Sequence, residues 1–137
     1  MKIQKDVIRE NGLRVTPARA AVLHVLLNSS KPLDIGAINF QVAKLKVNAD
    51  QATIYRIIEN FIVKDLVSRI QFKQKKFYYE AKGKVHHHAV CDKCGNIEDV
   101  SQCSVPRLER EIEKTKGFKV LSHSLEFYGL CASCQQV

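Results

Sequence analysis

His86-His87-His88-Ala89-Val90-Cys91-Asp92-Lys93-Cys94-Gly95 decides how this chain folds, together with Cys131-Ala132-Ser133-Cys134 near the C-terminus. Each Cys-x-x-Cys pair can turn back and present two sulfurs to one ion, and two such pairs are typical of a tetrahedral structural zinc site. The spacing therefore predicts one Zn2+ held by Cys91, Cys94, Cys131 and Cys134. The metal would close a long loop containing a helix and strands, and its removal should unfold this half of the chain.

The charge of the chain is divided unevenly. The net charge is +8 over 137 residues, yet residues 1–84 carry 16 Lys and Arg against 7 Asp and Glu, whereas residues 85–137 carry 6 against 7. A basic first half indicates a polyanionic partner, although a generic basic surface would give the same count. All five cysteines lie in the second half.

No run of residues is long and apolar enough to cross a bilayer, and residues 1–11 lack the apolar centre of a secretory signal. The odd number of cysteines and their paired spacing favour metal binding in a reducing compartment over disulfides. We therefore expect a cytoplasmic protein without a membrane partner.

Caps and apolar periodicity predict three helices before residue 50. Ile3, Val7 and Ile8 mark the first, which Gly12 can end in a left-handed conformation. Thr16 is typical of an N-cap, with Pro17 at the first position of the second helix. Asp34 is the expected N-cap of the third helix. The apolar residues expected to face inward in that helix are Ile35, Ile38, Val42 and Leu45.

The segment after Asp50 has the most regular periodicity, with its apolar residues on one helical face at Ile54, Ile57, Ile58, Phe61 and Ile62. The opposite face carries Gln51, Ala52, Tyr55, Arg56 and Glu59. Glutamine, tyrosine and arginine can contact base edges and phosphates, so this face suits a helix laid in the major groove of DNA. An idle helix surface is the alternative interpretation.

Residues 67–72 and 77–80 are enriched in aromatic and β-branched residues and predict two strands. The lysine-rich sequence 73–76 joins them, either as a solvated turn or as a contact to the phosphate backbone. Helices followed by such a hairpin describe a winged helix-turn-helix domain over residues 1–81. We place a hinge at 82–84 and a metal-binding domain at 85–137, which gives an α+β chain with a small zinc-bound α/β second domain.

An extended chain from Val85 would put His86 and His88 on one face and His87 on the other. With Glu80 before the hinge and Asp99 beyond Cys94, the two histidines form a mixed nitrogen and oxygen set that suits Fe2+, Mn2+ or Zn2+. Histidine also allows reversible binding, because protons compete for its nitrogen near neutral pH.

The remaining sequence predicts a hairpin completed by residues 96–100, a helix from the N-cap Ser104 to Gly117, and a long alternating strand over residues 118–130. Val105, Leu108 and Ile112 would face inward from the helix. His123 lies on the apolar face of the predicted strand, as either a core histidine or a ligand. Cys103 lies outside both pairs and is expected to be a buried or idle thiol.

The residues resemble the ferric uptake regulator (Fur) family of bacterial metal-dependent repressors over nearly the whole chain. The resemblance rests on four stretches with their order and spacing: residues 12–19 (GLRVTPAR), 52–56 (ATIYR), 86–95 (HHHAVCDKCG) and 128–134 (YGLCASC). It implies a winged helix, a C-terminal dimerisation domain, and a homodimer that binds a palindromic, A·T-rich double-stranded DNA operator when metal is bound.

The resemblance also assigns residues. The four cysteines match the structural zinc site, and Glu80, His86, His88 and Asp99 match four of the five ligands of a regulatory site at the hinge. The fifth position is Pro32, which offers no ligand atom. A further metal site is kept only at His87 and His123, with Glu109 as a substitute acid. Arg14 would enter the minor groove, and the predicted DNA-binding set is Arg14, Arg19, Gln51, Thr53, Tyr55 and Arg56.

Rival functions make different demands on the residues. Within the family, histidines with an aspartate resemble the peroxide-sensing branch, in which Fe2+ promotes oxidation of a ligand histidine. A zinc hydrolase or deaminase needs an open metal position and a neighbouring general base, whereas four cysteines close the strong site. A Cys-x-x-Cys oxidoreductase would rely on one pair without the other. We therefore predict a regulator rather than an enzyme, with no small organic substrate.

Overall fold

The computed structural model describes residues 1–73, 76–83, 87–100 and 105–136. The chain divides into two compact units, Met1–Lys84 and Val85–Val137. The first unit contains four helices, α1 (Lys2–Glu10), α2 (Pro17–Asn28), α3 (Ile35–Lys44) and α4 (Gln51–Val63), followed by two strands, β1 (Val67–Gln71) and β2 (Phe77–Ala81). The second unit contains β3 (His87–Cys91), β4 (Ile97–Val100), α5 (Val105–Lys116), β5 (Leu125–Gly129) and α6 (Ala132–Gln135).

The two helix starts predicted from caps, at Thr16 and Asp34, are confirmed, and Asp50 caps α4 in the same way. Thr16 Oγ1 accepts a hydrogen bond from the Arg19 N–H at 3.1 Å. Asp34 and Asp50 accept through Oδ1 from the third residue of α3 and α4, each at 2.7 Å. Gly12 follows α1 with φ 76°, the left-handed conformation expected of it. These bonds satisfy backbone donors that the first helical turn leaves without a partner.

The core of the first unit lies where the four helices meet the hairpin. Strands β1 and β2 are antiparallel, with Val67 opposite Ala81 and Arg69 opposite Tyr79. One face of the hairpin is buried at its inner end through Val67, Tyr79 and Ala81. Helix α4 adds the buried side chains Ile54, Ile57, Ile58 and Phe61, as its periodicity predicts.

The segment before α3 is tied to the hairpin by backbone and side-chain contacts. Leu33 and Tyr79 exchange two backbone hydrogen bonds of 3.0 and 2.8 Å. Next to this bridge, Lys76 Nζ lies 2.6 Å from Asp34 Oδ2. Asp34 therefore caps α3 with one oxygen and binds Lys76, the residue before β2, with the other.

The second unit is a three-stranded sheet in the order β4-β3-β5. Strands β3 and β4 form the predicted antiparallel hairpin, and β5 runs parallel to β3, with Cys91 opposite Gly129. Because β3 and β5 run in the same direction, the chain leaves both strands at one end of the sheet. The two Cys-x-x-Cys pairs lie at that end.

Two predictions for this unit are wrong. The strand expected over residues 118–130 is limited to Leu125–Gly129, because the chain after Gly117 stays with α5, where the Val120 N–H donates to Glu113 Oε2 at 3.0 Å. Leu108, expected to face inward from α5, is 54% exposed in the single chain. The predicted cap Ser104 and the thiol of Cys103 lie outside the described residues.

We predict that Asp34→Ala destabilises the first unit more than Asp50→Ala. Both changes remove an N-cap, which costs about 0.5–2 kcal/mol, but only Asp34 also binds Lys76. Burial alone would raise the pKa of the Asp34 carboxyl, yet the hydrogen bonds from Lys76 and the Ala37 N–H hold the pKa below its usual value of 3.8. A carboxyl with a lowered pKa stabilises the fold above that value and loses this effect as pH falls through its folded pKa.

Urea unfolding of both variants at neutral and acidic pH measures the difference. The extra loss in Asp34→Ala should be present at neutral pH and disappear below pH 3.8. Asp34→Asn keeps a cap acceptor and loses the charge, so it should lie between the wild type and Asp34→Ala. Equal destabilisation by Asp34→Ala and Asp50→Ala at neutral pH would show that the bond to Lys76 contributes nothing.

Candidate metal centres and nucleic-acid interface

The four cysteines of the two Cys-x-x-Cys pairs come together at one end of the three-stranded sheet. Cys91 is the last residue of β3 and Cys131 immediately precedes α6, whose helical turn contains Cys134. Cys94 lies in the turn between β3 and β4. The four Sγ atoms all lie within 4.8 Å of one another. The structure thus assembles the donor set that the spacing predicts.

The geometry of this cluster fits zinc. Four sulfurs at the usual Zn–S distance form a tetrahedron with edges of about 3.8 Å, and Cys94 Sγ lies 3.8 Å from Cys131 Sγ. The Cys131 N–H points to Cys91 Sγ at 3.4 Å, and the Asn96 N–H to Cys94 Sγ at 3.4 Å. Gly95, with φ 78°, provides the turn between Cys94 and Asn96. Such N–H groups stabilise the thiolates that a metal requires.

The thiols of the cluster have widely different proton affinities. The Cys94 and Cys131 N–H groups lower the pKa of Cys91 to about 6. In contrast, the hydrogen bond to the Cys131 sulfur, together with burial, raises the pKa of Cys134 to about 12. Four neighbouring thiolates repel one another, so without a cation the last protons stay on at neutral pH. A divalent metal removes this conflict by binding all four thiolates at once.

A second set of ligand side chains lies along the β3–β4 hairpin. His88 faces Asp99 in the strand register, and the His88 Nε2 atom lies 3.7 Å from Asp99 Oδ1. The imidazole of His88 is 1% exposed. Glu80 belongs to the first unit, where it lies in β2 opposite Ser68. His86, predicted to share a face with His88, lies outside the described residues.

On the other face of β3, a third set joins three side chains. The rings of His87 and His123 are stacked with centroids 5.1 Å apart, and their Nε2 atoms are separated by 3.4 Å. Glu109 of α5 places Oε1 2.7 Å from His123 Nδ1. His123 precedes β5 rather than lying inside a long strand, which corrects the position predicted for it. Glu109, which the resemblance suggests as a substitute acid, thus contacts His123, one of the two histidines.

The outer face of α4 borders an open groove in the first unit. The groove has a volume of about 670 Å3. Its lining residues are Arg14, Thr16, Ala18, Arg19, Thr53, Arg56, Ile57 and Asn60. Four of the six predicted DNA-binding residues thus share one surface, and no acidic side chain is among these lining residues. The other two, Gln51 and Tyr55, are exposed on α4.

Within this groove, local hydrogen bonds hold two of the arginines. Arg19 Nη1 donates to the backbone carbonyl of Arg14 at 2.7 Å, which fixes the chain that enters α2. Arg56 Nη2 lies 3.5 Å from Thr53 Oγ1 one helical turn earlier. Guanidinium groups on a rigid helical frame, with no neighbouring carboxylate in the lining, form a surface suited to phosphate.

A sequence model of the ferric uptake regulator family matches residues 10–128, most of the chain. The chain belongs to the ferric uptake regulator family. It is 31% identical to the ferric uptake regulation protein of Legionella pneumophila, covering 96% of this chain and 98% of the relative. It is 29% identical to the peroxide operon regulator of Bacillus subtilis, covering 99% and 94%.

Solved Fur-family structures share the fold. The ferric uptake regulator of Helicobacter pylori superposes with a TM-score of 0.82 at 24% identity, covering 99% of this chain and 91% of that chain. The Campylobacter jejuni peroxide stress regulator gives 0.75 at 26% identity, covering 97% of both chains. The expected α+β architecture is therefore confirmed.

Membership makes this chain a metal-responsive regulator, and Fur-family proteins are transcription regulators rather than enzymes. None of the helices in the described part of the chain combines the length and apolar character needed to cross a bilayer.

We predict that Cys131→Ser removes the tightly bound metal of this Fur-family chain and unfolds its second unit. Binding of zinc to small cysteine sites is worth about 10–16 kcal/mol, which is as large as the total stability of about 5–15 kcal/mol typical of a domain. Metal analysis of the purified protein and two-dimensional amide NMR measure the two effects. Resonances of residues 85–137 should collapse while those of the first unit stay dispersed.

Cys103→Ser is the matched control, because it removes one thiol from the same half of the chain without touching either pair. It should retain one zinc per chain and the dispersed spectrum. A Cys131→Ser protein that still holds one zinc and gives the same spectrum as Cys103→Ser would contradict the assignment of the four-cysteine cluster.

Proposed function

We propose that this Fur-family chain is a homodimeric repressor that binds a palindromic, A·T-rich operator when a divalent metal occupies its regulatory site. The observation that carries the proposal is the arginine groove beside α4, in which Arg14, Arg19 and Arg56 face one open surface. A DNA-binding repressor acts in the compartment that contains the chromosome, so the proposed location is the cytoplasm.

The proposed mode of reading follows from the two faces of α4. One face is anchored in the core through Ile54, Ile58 and Phe61, so the helix can be presented to the major groove as a rigid body. Tyr55 is 47% exposed on the other face, where its ring can pack on a thymine methyl. Gln51, Thr53 and Arg56 extend the contact, while Arg14 and Arg19 reach the flanking backbone and the minor groove.

For the regulatory metal we propose Glu80, His86, His88 and Asp99 as ligands of Fe2+, Mn2+ or Zn2+. The pairing of His88 with Asp99 across β3 and β4 supports the part of the set that lies in the second unit. Pro32, buried before α3, provides no ligand atom. Glu80 is then the ligand contributed by the DNA-binding unit, and its coordination would fix the angle between the two units. The stacked pair His87 and His123, with Glu109, is a further candidate metal site.

For the dimer we propose the second unit as the interface. Its described residues leave several large apolar side chains exposed in the single chain, namely Leu108, Phe118, Leu121, Phe127 and Leu130. So many exposed large apolar side chains on a small unit support an association surface. Burial against a second copy would also explain why α5 has an apolar periodicity with no buried residue.

We predict that supplying Fe2+, Mn2+ or Zn2+ to the zinc-loaded dimer raises its affinity for DNA, and that chelating this second metal reverses the gain. Coupling between two sites is typically about 5- to 150-fold. Asp99→Asn should lose the gain, because it removes a ligand. Fluorescence anisotropy with an operator-like duplex, with and without metal, measures the effect.

Glu98→Gln is the matched control, since Glu98 neighbours Asp99 on β4 but points to the other face of the sheet. It should respond to metal as the wild type does. If the wild-type affinity is the same with and without the second metal, the switch is wrong even though DNA binding stands.

A peroxide sensor is the second candidate function, favoured by the similarity to the peroxide operon regulator of B. subtilis and by the Asp99–His88 pair. We predict that, in this case, Fe2+ and hydrogen peroxide add one oxygen atom to the peptide containing His86–His88 and release the DNA. Mass spectrometry of the peptide measures this oxidation, and protein loaded with Mn2+ is the control. An unmodified peptide after exposure to Fe2+ and peroxide would leave metal sensing as the function.

A further inference from the structure

An ion pair joins the hairpin of the first unit to α4. Arg69 lies in the middle of β1, and its Nη1 atom is 3.3 Å from Glu59 Oε1 on α4. Glu59 follows Tyr55 by four residues, so the two side chains occupy the same side of the helix. The pair therefore meets α4 beside the side chain proposed to read the DNA.

Arg69 is also held by the opposite strand. Its guanidinium Cζ lies 4.9 Å from the centre of the Phe77 ring on β2. Arg69, Phe77 and Tyr79 share one face of the hairpin, because residues opposite one another in an antiparallel pair point the same way. Tyr79 is buried on this face, whereas Phe77 is exposed nearer the tip. Arg69 thus lies between the buried inner end of this face, at Tyr79, and its exposed outer end, at Phe77.

The charges of Arg69 and Glu59 act in opposite directions on the pKa of Tyr79. Burial first of all raises the pKa of Tyr79, with smaller contributions in the same direction from Tyr55 and Glu59, while Arg69 opposes them. Glu59 is the only acidic residue of α4. A carboxylate on a helix that approaches phosphates costs affinity by itself, so its presence requires an explanation other than DNA contact.

We propose that Glu59 and Arg69 are positioning residues that hold the β1–β2 hairpin against α4, so that the hairpin and Tyr55 engage one duplex together. This inference rests on the proposed DNA-binding function. Arg69 acts through Glu59 and does not bind phosphate in its own right. Lys76, the residue before β2, is bound to Asp34, the N-cap of α3. The Glu59–Arg69 pair therefore adds a second attachment, between β1 and α4.

The direction of the affinity change in one variant distinguishes a positioning role from a direct effect of charge on DNA binding. Glu59→Gln removes a negative charge near the DNA, which by electrostatics alone leaves affinity unchanged or increases it. A positioning role predicts weaker DNA binding, because the hairpin loses its ion pair with α4. We expect Glu59→Gln and Arg69→Gln each to weaken binding by about 2- to 100-fold, and the double variant to be no weaker than Arg69→Gln alone.

The experiment uses the full-length, metal-loaded dimer and a fluorescent A·T-rich palindromic duplex enriched from a random library by the wild-type protein. Affinities are measured by anisotropy at several salt concentrations. Both side chains of the pair are substantially exposed, at 42% and 38%, so the variants should fold, with melting temperatures within about 4 °C of the wild type. Asp65→Asn is the matched control, since it removes a carboxylate paired with Lys82 at 3.1 Å beyond the C-terminal end of α4 and should not weaken binding.

Glu59→Gln binding as tightly as the wild type, or more tightly, would overturn the proposal. So would additive losses in the double variant, or a loss in Arg69→Gln alone with a salt slope reduced by about one contact, which would make Arg69 a phosphate ligand. If the wild-type protein enriches no duplex, the proposed function fails together with this inference. If the wild-type protein enriches a duplex and only the variants give a contrary result, this inference fails and the proposed DNA-binding function stands.

Discussion

Closure of the sheet end by four thiolates is the constraint on which the second unit depends. The buried apolar cluster of the described residues lies entirely in the first unit, from Ile8 to Ala81, whereas the described second unit buries few apolar side chains, Val90 and Ile97 among them. So small a core cannot offset the entropy of ordering about 50 residues. Joining the ends of β3 and β5 through one ion supplies what the core lacks, and it also explains why the two strands run parallel.

The two ligand chemistries of the second unit serve opposite requirements. Cys91 and Cys134 have pKa values of about 6 and about 12, so the fully ionised cluster exists at neutral pH only around a cation, and the cation is retained for as long as the fold is. At the proposed regulatory site, His88 and Asp99 would bind a metal through nitrogen and oxygen, and the β3–β4 pairing that carries them does not depend on that metal. In this proposal the permanently bound metal and the exchangeable metal lie on one hairpin and differ in their ligand atoms, sulfur for the first and nitrogen with oxygen for the second.

Local signals were sufficient for much of the structure. Thr16 and Asp34 mark helix starts because a cap acts within three residues, and the cysteine pairs mark a metal cluster because each pair is a single turn. The long strand after Gly117 was wrong because alternation does not reveal whether a partner strand exists. Leu108 was wrong for a related reason, since its apolar character does not show whether the same chain or another copy covers it. The Glu59–Arg69 and Asp34–Lys76 pairs depend on hairpin register, which no single segment encodes.

The arginine groove has a consequence for how such a regulator finds its target. Its charge does not depend on any metal, so the first unit would retain weak, salt-sensitive attraction for duplex of any sequence. If this chain is the proposed repressor, it would therefore stay weakly bound to chromosomal DNA after losing its regulatory metal. It would move along that DNA by short slides and hops. Binding of the regulatory metal would then lengthen the time that the repressor stays on its operator, rather than bring it to the DNA from solution. The response would therefore begin without a delay for diffusion to the DNA.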